Sequence, residues 1–385
     1  MTFILLFGLV SMMSDMTHES ASSIRGAFLA LVGASAATIG FASGLGEMVG
    51  YGMRYVFGRI TDRTRRYWPL VTVGYVVDIL AVPALVLVGP HGWVAACALL
   101  VVQRLGKAIK KPAKDTLLSF AATQEGVGKS FAIQEALDQI GAFAGPLLLY
   151  LIMLFKTSST TFEIYSFCFA CLAIPGVATL VLLWLTRRSF PHPEEFEPEP
   201  KQRQHFKMEG RFVRYIAGIS LFALGFIDYA LVVMHVARTS LFTAQELPLL
   251  YAGAMLTDAV AALVFGWLFD RHGTRALILS TLLSAPFAAL VFLGHGYASL
   301  LLGVALWGVG MGAQESILKA AVATMVPKQS RATGYGVFEC SFGVFWFLGS
   351  WALGALYEAS IPAMVVVSTL AQLAAIPLFL TSKKK

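Results

Sequence analysis

The sequence predicts an all-α membrane protein built of two similar halves, each with six spans. Three observations predict it: an apolar composition, twelve segments of spanning length, and an internal duplication in which charged residues recur in order. Of the 385 residues, 57% are hydrophobic and only 13% are charged, whereas a soluble domain carries about 25% charge. The deficit implies a surface that faces lipid.

A helix that crosses a bilayer needs about 20 mostly apolar residues. Twelve such segments begin near Phe3, Ala36, Trp68, Trp93, Lys129, Thr160, Phe212, Gln245, Arg275, Ala298, Ala332 and Ile361. The first starts at once and carries Asp15 and Glu19. It is a poor signal peptide and is expected to be retained as a span. Between the sixth and seventh segments, Pro191, Pro193, Pro198 and Pro200 alternate with Glu194, Glu195, Glu197 and Glu199. Such a stretch has little to bury and reads as a linker in water. The expected organisation is an N-terminal six-helix half at 1–188, a linker at 189–210 and a C-terminal six-helix half at 211–385.

The duplication is carried by residues. Gly58-Arg59-Ile60-Thr61-Asp62-Arg63 and Gly266-Trp267-Leu268-Phe269-Asp270-Arg271 both read G-x-x-x-D-R, 208 residues apart, and each follows an apolar segment. Asp15 and Arg25 correspond to Asp228 and Arg238 at an offset of 213, Lys114 to Lys319 at 205, and Glu135 and Gly145 to Glu339 and Gly349 at 204. The offset falls gradually, as small loop deletions produce.

The net charge of +7 follows topology rather than nucleic-acid binding. Arg59, Arg63, Arg65 and Arg66 share one turn, and Arg187, Arg188, Lys201, Arg203, Lys207, Arg211 and Arg214 flank the linker. Arg271, Arg275, Lys328, Arg331 and Lys383 to Lys385 fall on the same side of a twelve-span arrangement. The opposite turns, such as Pro90-His91-Gly92 and His295-Gly296, are nearly bare. The positive-inside rule then puts both termini in the cytoplasm of a multi-pass protein of the plasma (inner) membrane. Cys97, Cys168, Cys171 and Cys340 all fall inside spans and lack the paired spacing of a zinc site, so they read as small packing residues.

The loop sequence Gly58, Asp62, Arg63 with Arg66 resembles the G-x-x-x-D-R-x-G-R-K/R motif of the major facilitator superfamily. Arg65 stands where that motif has glycine, while the second copy, Gly266, Asp270 and Arg271, keeps it as Gly273. Gly141 to Pro146, with Gly145, is similar to the G-x-x-x-G-P motif of the family's proton-coupled exporters, although Leu149 and Tyr150 stand where a second glycine pair is usual. The resemblance implies a major facilitator fold with a cavity lined by spans one, four, seven and ten. It also implies conformational gating by the two loop motifs and the fifth-span glycines.

Charges in the spans mark the expected path of substrate and protons. Arg104 lies about twelve residues below the outer end of its span, roughly mid-bilayer at about 1.5 Å per residue. Lys107, Lys110, Lys111 and Lys114 follow it; Lys110 and Lys111 are expected to snorkel to the interface. Acids stand at Asp15, Glu19, Glu47, Glu135, Asp138, Asp228, Asp258, Glu315 and Glu339, with His18 and Lys319 among them. Ionised groups in lipid are costly, so they pair, take up protons or line a wet cavity. Arg104 is expected to face Glu135 and Asp138, or Asp15 and Glu19. Met12, Met13 and Met16 beside this group read as apolar helix residues rather than a metal site. Gly128-Lys129-Ser130 has Thr123 where a phosphate loop needs glycine, and no set of nucleophile, base and orienting group appears.

The expected function is therefore a monomeric secondary transporter, not an enzyme, with no cofactor. Proton-coupled antiport exporting a small amphipathic compound or metabolite is the leading reading. Proton-coupled import of a polar solute, organic acid or metal chelate is the second. A non-transporting membrane sensor is the third, disfavoured because a sensor need not line a through-path with polar groups.

Overall fold

The computed structural model describes residues 2–125, 127–156, 160–191, 208–326 and 331–382, without the side chains of 119–132, 315, 319–320, 323 and 331–333. Twelve helical segments follow one another within these residues. They are Thr2–Leu31, Ala36–Thr64, Tyr67–Ala81 with the 3-10 turn Pro83–Leu87, Trp93–Glu125, Val127–Leu154, and Thr161–Cys171 with Ala173–Ser189. Then come Gly210–Gly225 with Tyr229–Thr239, Glu246–His272, Arg275–Ser284 with Phe287–Phe292, Gly296–Met325, Arg331–Ala359 and Ile361–Thr381. They are numbered here as spans one to twelve, and each begins within two residues of its expected position.

Nine of these segments, among the described residues, are both long and apolar enough to cross a membrane. The other three are spans one, two and four. Span one, at 30 residues, has the length but is more polar, and its polarity has a place to go. It buries Ser11, Ser14, Thr17, His18, Ser20, Ser23 and Arg25, so its polar face meets protein rather than lipid.

Breaks within spans have local causes. Proline 286 lacks an amide proton and separates Arg275–Ser284 from Phe287–Phe292. Span six starts from a capping box, in which Thr160 Oγ1 accepts from the Glu163 amide and the Glu163 carboxylate accepts from the Thr160 amide. Span seven unwinds over 226–228. There Asp228 caps the second piece by accepting from the Ala230 amide at 2.8 Å. The buried backbone carbonyls freed there find side-chain donors. Gly225 accepts from Ser368 Oγ at 2.6 Å and Gln372 Nε2 at 3.2 Å, and Ile227 accepts from Trp307 Nε1 at 2.9 Å. Unwound backbone at membrane depth requires such partners.

The two copies of the loop motif share an unusual backbone. Gly273 has φ +58°, and Arg65, its counterpart, has φ 51°. The turn needs a left-handed residue at this place in both copies. That explains the glycine of the family motif, and it makes Arg65 strained by roughly 1 kcal/mol or more.

The chain packs as two units. One comprises Met1–Ala34, Val49–Pro200 and Ala244–Ala252; the other comprises Ser35–Met48, Lys201–Thr243 and Gly253–Lys385. Relative to the sequence halves, the start of span two and the start of span eight have changed sides. Close packing accounts for the first exchange. A Cβ on Gly40 would lie 2.1 Å from the Ser350 carbonyl oxygen, and one on Gly44 would lie 2.9 Å from Phe347 Cα. Span two therefore meets span eleven backbone to backbone.

The first unit is held by an aromatic core of Phe3, Phe7, Trp68 and Tyr75 with Val10, Val71 and Leu117. Trp68 satisfies its indole by donating to the Phe190 carbonyl at 3.0 Å. In the second unit, Phe226 contacts Phe287, Trp307 and Trp346 at centroid distances of 5.1, 6.0 and 5.7 Å.

Candidate functional site

The polar residues of the first unit converge on span four. Arg104, Lys107, Lys110 and Lys114 fall on one helical face by their spacing. Spans three and four approach closely enough to enclose part of that face. A Cβ on Gly74 would lie 2.6 Å from the Lys110 amide nitrogen, and one on Gly106 would lie 2.5 Å from the Asp78 amide nitrogen.

At this crossing Asp78, fully buried on span three, accepts from two donors. Lys110 Nζ pairs with Asp78 Oδ2, and His18 Nε2 lies 2.8 Å from the same oxygen. Gln103 Nε2 donates to His18 Nδ1 at 2.6 Å. That fixes the tautomer, so Nε2 carries the proton given to Asp78. Lys110 also donates to Ser14 Oγ at 3.1 Å and stands 3.9 Å from the Tyr75 ring centroid. Asp78 Oδ1 is buried and has no hydrogen-bond partner among the described residues.

A second group lies along spans one, four and five. Lys114 donates to Ser11 Oγ and sits 4.0 Å from Asp138 Oδ2. Gln134 Nε2 donates to Asp138 Oδ1 at 2.8 Å. Asp15 is half-buried on span one, within electrostatic reach of Asp138, Lys107, Lys114 and Glu19. Glu19 accepts from Tyr251 Oη at 2.5 Å and feels both Lys107 and Arg104. Lys107 is half-buried and makes no hydrogen bond among the described residues.

The geometry that brings span one to span five is that of the glycine motif. A Cβ on Gly141 would lie 2.4 Å from the Met12 carbonyl oxygen, and one on Gly145 would lie 2.5 Å from that of Met16. The methionines beside Asp15 thus give their backbone to a helix contact. Pro146 is buried next to Gly145.

Several expectations change. Lys110 does not snorkel: it is buried and ion-paired, because the two glycines close spans three and four over it. Lys111 does lie toward the outside, in an i,i+4 pair with Asp115 at 2.8 Å. Glu135 is exposed and accepts from Gln139 at 3.3 Å, and it reaches the network only through its charge beside Asp138. Glu19, from one of the two acid pairs offered to Arg104, is electrostatically linked with it. Asp78 was missed by sequence reasoning. The available signal was that it is the only charged residue in 67–87, and a lone charge at mid-span needs a partner.

The remaining candidates are dispersed. Glu47 and Glu339 are half-buried on spans two and eleven. Asp228 borders a narrow cavity lined by Gly40, Ser43 and Ser350. Asp258 is buried on span eight, where a Cβ on Gly312 would lie 2.1 Å from its carbonyl oxygen. The side chains of Glu315 and Lys319 lie outside the described residues. Asp62, Arg63, Asp270 and Arg271 are exposed at span ends. Arg271 stacks on Trp267 at 4.0 Å. Gly58 and Gly266 leave ordinary contacts of 3.8 Å to Pro112 and 3.9 Å to Ser316, equivalent neighbours in the two copies.

The described residues make a polytopic helical protein with charges gathered inside its spans. The family follows from comparison. The model of the Major Facilitator Superfamily matches residues 1–241 and 215–385, and the chain belongs to that family. It is 37% identical to an uncharacterised protein of Mycobacterium tuberculosis over 372 residues, 95% of this chain and 89% of the other. It is 24% identical to an uncharacterised MFS-type transporter of Methanocaldococcus jannaschii, over 92% of this chain and 88% of that one. Among solved structures, the nucleoside transporter NupG is similar with a TM-score of 0.77 at 14% identity, covering 100% of both chains. At that identity the likeness is one of fold.

Proposed function

We propose that the protein is a proton-coupled antiporter that exports a small amphipathic compound or metabolite. The observation that supports this reading is the charge inventory around span four. Asp15, Glu19, Asp78 and Asp138 stand among Arg104, Lys107, Lys110 and Lys114, four of each sign. In such a balanced group each proton gained frees one cation from its partner and changes the field at the site by a full charge. Asp78, held by Lys110 and His18, keeps the network in place. Asp15 and Asp138, more loosely held, are the exchanging acids. Lys107 is left to meet a polar group of the substrate. The fifth-span glycines, which bring Asp15 toward Asp138, connect this site to the exporter-like motif.

Antiport and symport differ in one sign. In antiport, protons and substrate compete for the site, so substrate binds more tightly as pH rises. In symport, protonation of the acids leaves the cations to hold an anionic solute, and binding strengthens as pH falls. The cations Arg104 and Lys107 are what favour that second reading. Binding measured across pH on purified protein decides between them. In proteoliposomes, Asp15→Asn and Asp138→Asn should abolish gradient-driven accumulation while substrate exchange persists. If both still move protons with substrate at the wild-type ratio, the carrier is another residue.

The proposed setting is the plasma (inner) membrane, with both termini and the linker in the cytoplasm. Single cysteines at His295 and Glu197 in a cysteine-free background check this. The impermeant reagent should label the first and not the second in intact cells; the reverse pattern would invert the orientation.

A further inference from the structure

The first unit carries a basic cleft apart from the charge network of span four. It has a volume of about 710 Å³ and is lined by Arg65, Arg66, Arg187 and Arg188, with Trp68 and Trp184 in its walls. The cleft lies where the turn between spans two and three meets the end of span six. Two features build it. Trp68 is buried and tied to the Phe190 carbonyl, which fixes the chain leaving span six against the start of span three. Trp184 is exposed, and the Arg188 guanidinium lies 5.4 Å from its ring centroid. Among the described residues, Arg66, Arg187 and Arg188 have no carboxylate partner.

The apolar surface leading to this cleft identifies the kind of ligand. Ile174, Val177, Val181 and Trp184 are all exposed, at a helical spacing that places them in one stripe along span six. The stripe ends at Arg187 and Arg188. A molecule that matched both parts would carry a negative charge at one end and a long apolar tail at the other. Aromatic side chains at this level are favoured at the boundary between hydrocarbon and headgroups, and guanidinium groups favour phosphate oxygens through paired hydrogen bonds.

We propose that this cleft binds the headgroup of an anionic phospholipid, with an acyl chain lying along the Ile174–Trp184 stripe. Arg66, Arg187 and Arg188 hold the phosphodiester. Free inorganic phosphate shares the charge but not the tail, and the stripe gives it nothing.

The test uses the full chain in detergent micelles, with phosphatidylglycerol or phosphatidylcholine added. Lipid retention is read by native mass spectrometry and melting by thermal shift. The wild type should retain phosphatidylglycerol in preference to phosphatidylcholine and melt higher with it, and inorganic phosphate should give no shift. Arg187→Gln with Arg188→Gln should weaken phosphatidylglycerol retention by roughly thirtyfold, at about 1 kcal/mol for each of the two surface cations. Lysine at both positions should keep most of it. Arg211→Gln with Arg214→Gln removes the same charge from another basic turn and should leave the preference intact. The proposal is overturned if the wild type holds the two lipids equally, if both double variants lose the preference to the same extent, or if phosphate alone reproduces the shift. Melting of each variant in phosphatidylcholine guards against misfolding.

Discussion

Asp78→Ala should destabilise the first unit by about 3–5 kcal/mol and abolish transport. The carboxylate is fully buried and takes both Lys110 and His18 on one oxygen. Its removal leaves the Lys110 ammonium inside the protein with the Ser14 hydroxyl and the Tyr75 ring but no carboxylate partner among the described residues. The cost is that of an orphaned buried charge, not the net worth of the pair. A double substitution therefore separates the two: Asp78→Leu with Lys110→Met removes both charges and should recover most of the melting temperature. Asp78→Asn keeps the shape but loses the charge and should fall between. The measurements are thermal melting in micelles and uptake into proteoliposomes. An Asp78→Ala protein that melts with the wild type would mean that the ammonium has found water, and the network would then be a wet cavity rather than a dry anchor.

Gly145→Val is expected to have the second large effect, on transport more than on insertion. A Cβ at Gly145 would lie 2.5 Å from the Met16 carbonyl oxygen, 2.7 Å from Ser20 Oγ and 2.8 Å from Met16 Cα. Two of these atoms are backbone and cannot rotate away, so spans one and five must part. Overpacking of this kind costs about 1–3 kcal/mol, and the branched side chain adds to it. The displacement would also carry Asp15 and Glu19 away from Asp138 and Lys114. Gly52→Ala and Gly253→Ala are the controls, because nothing lies within 4 Å of a Cβ at either place. Transport by Gly145→Val at the wild-type rate, with the controls also unchanged, would show that the helix contact is slack and that the motif does not position the acids.

The reading of the spans was secure because it depends on physics that acts locally. Twenty apolar residues in a row have few soluble uses, and basic turns mark the ends of such runs whatever the neighbours are. The copies of the loop motif were legible for the same reason. Their shared left-handed residue, Arg65 in one and Gly273 in the other, was visible only as a departure from the pattern; the backbone angle explains it. Which charges meet was less legible. Glu135 and Asp138 sit three residues apart on span five, and both were offered to Arg104. Rotation of the helix turns Glu135 outward to Gln139 and leaves Asp138 beside Lys114. A single sequence does not contain that rotation, since it follows from which face of span five the glycines press against span one.

The sequence by itself determined that this is a duplicated helical membrane protein with charges held inside its spans, because hydropathy, spacing and repeated motifs are properties of one strand of chain. The tertiary structure alone decided which of those charges meet. It made Lys110 an internal partner of Asp78, set the histidine proton through Gln103, and left Lys107 without a hydrogen bond among the described residues. The physical reason is distance. Helix approach is governed by a few glycines whose partners lie elsewhere in the chain, and a shift of a few ångströms there decides whether a buried charge is paired, solvated or excluded.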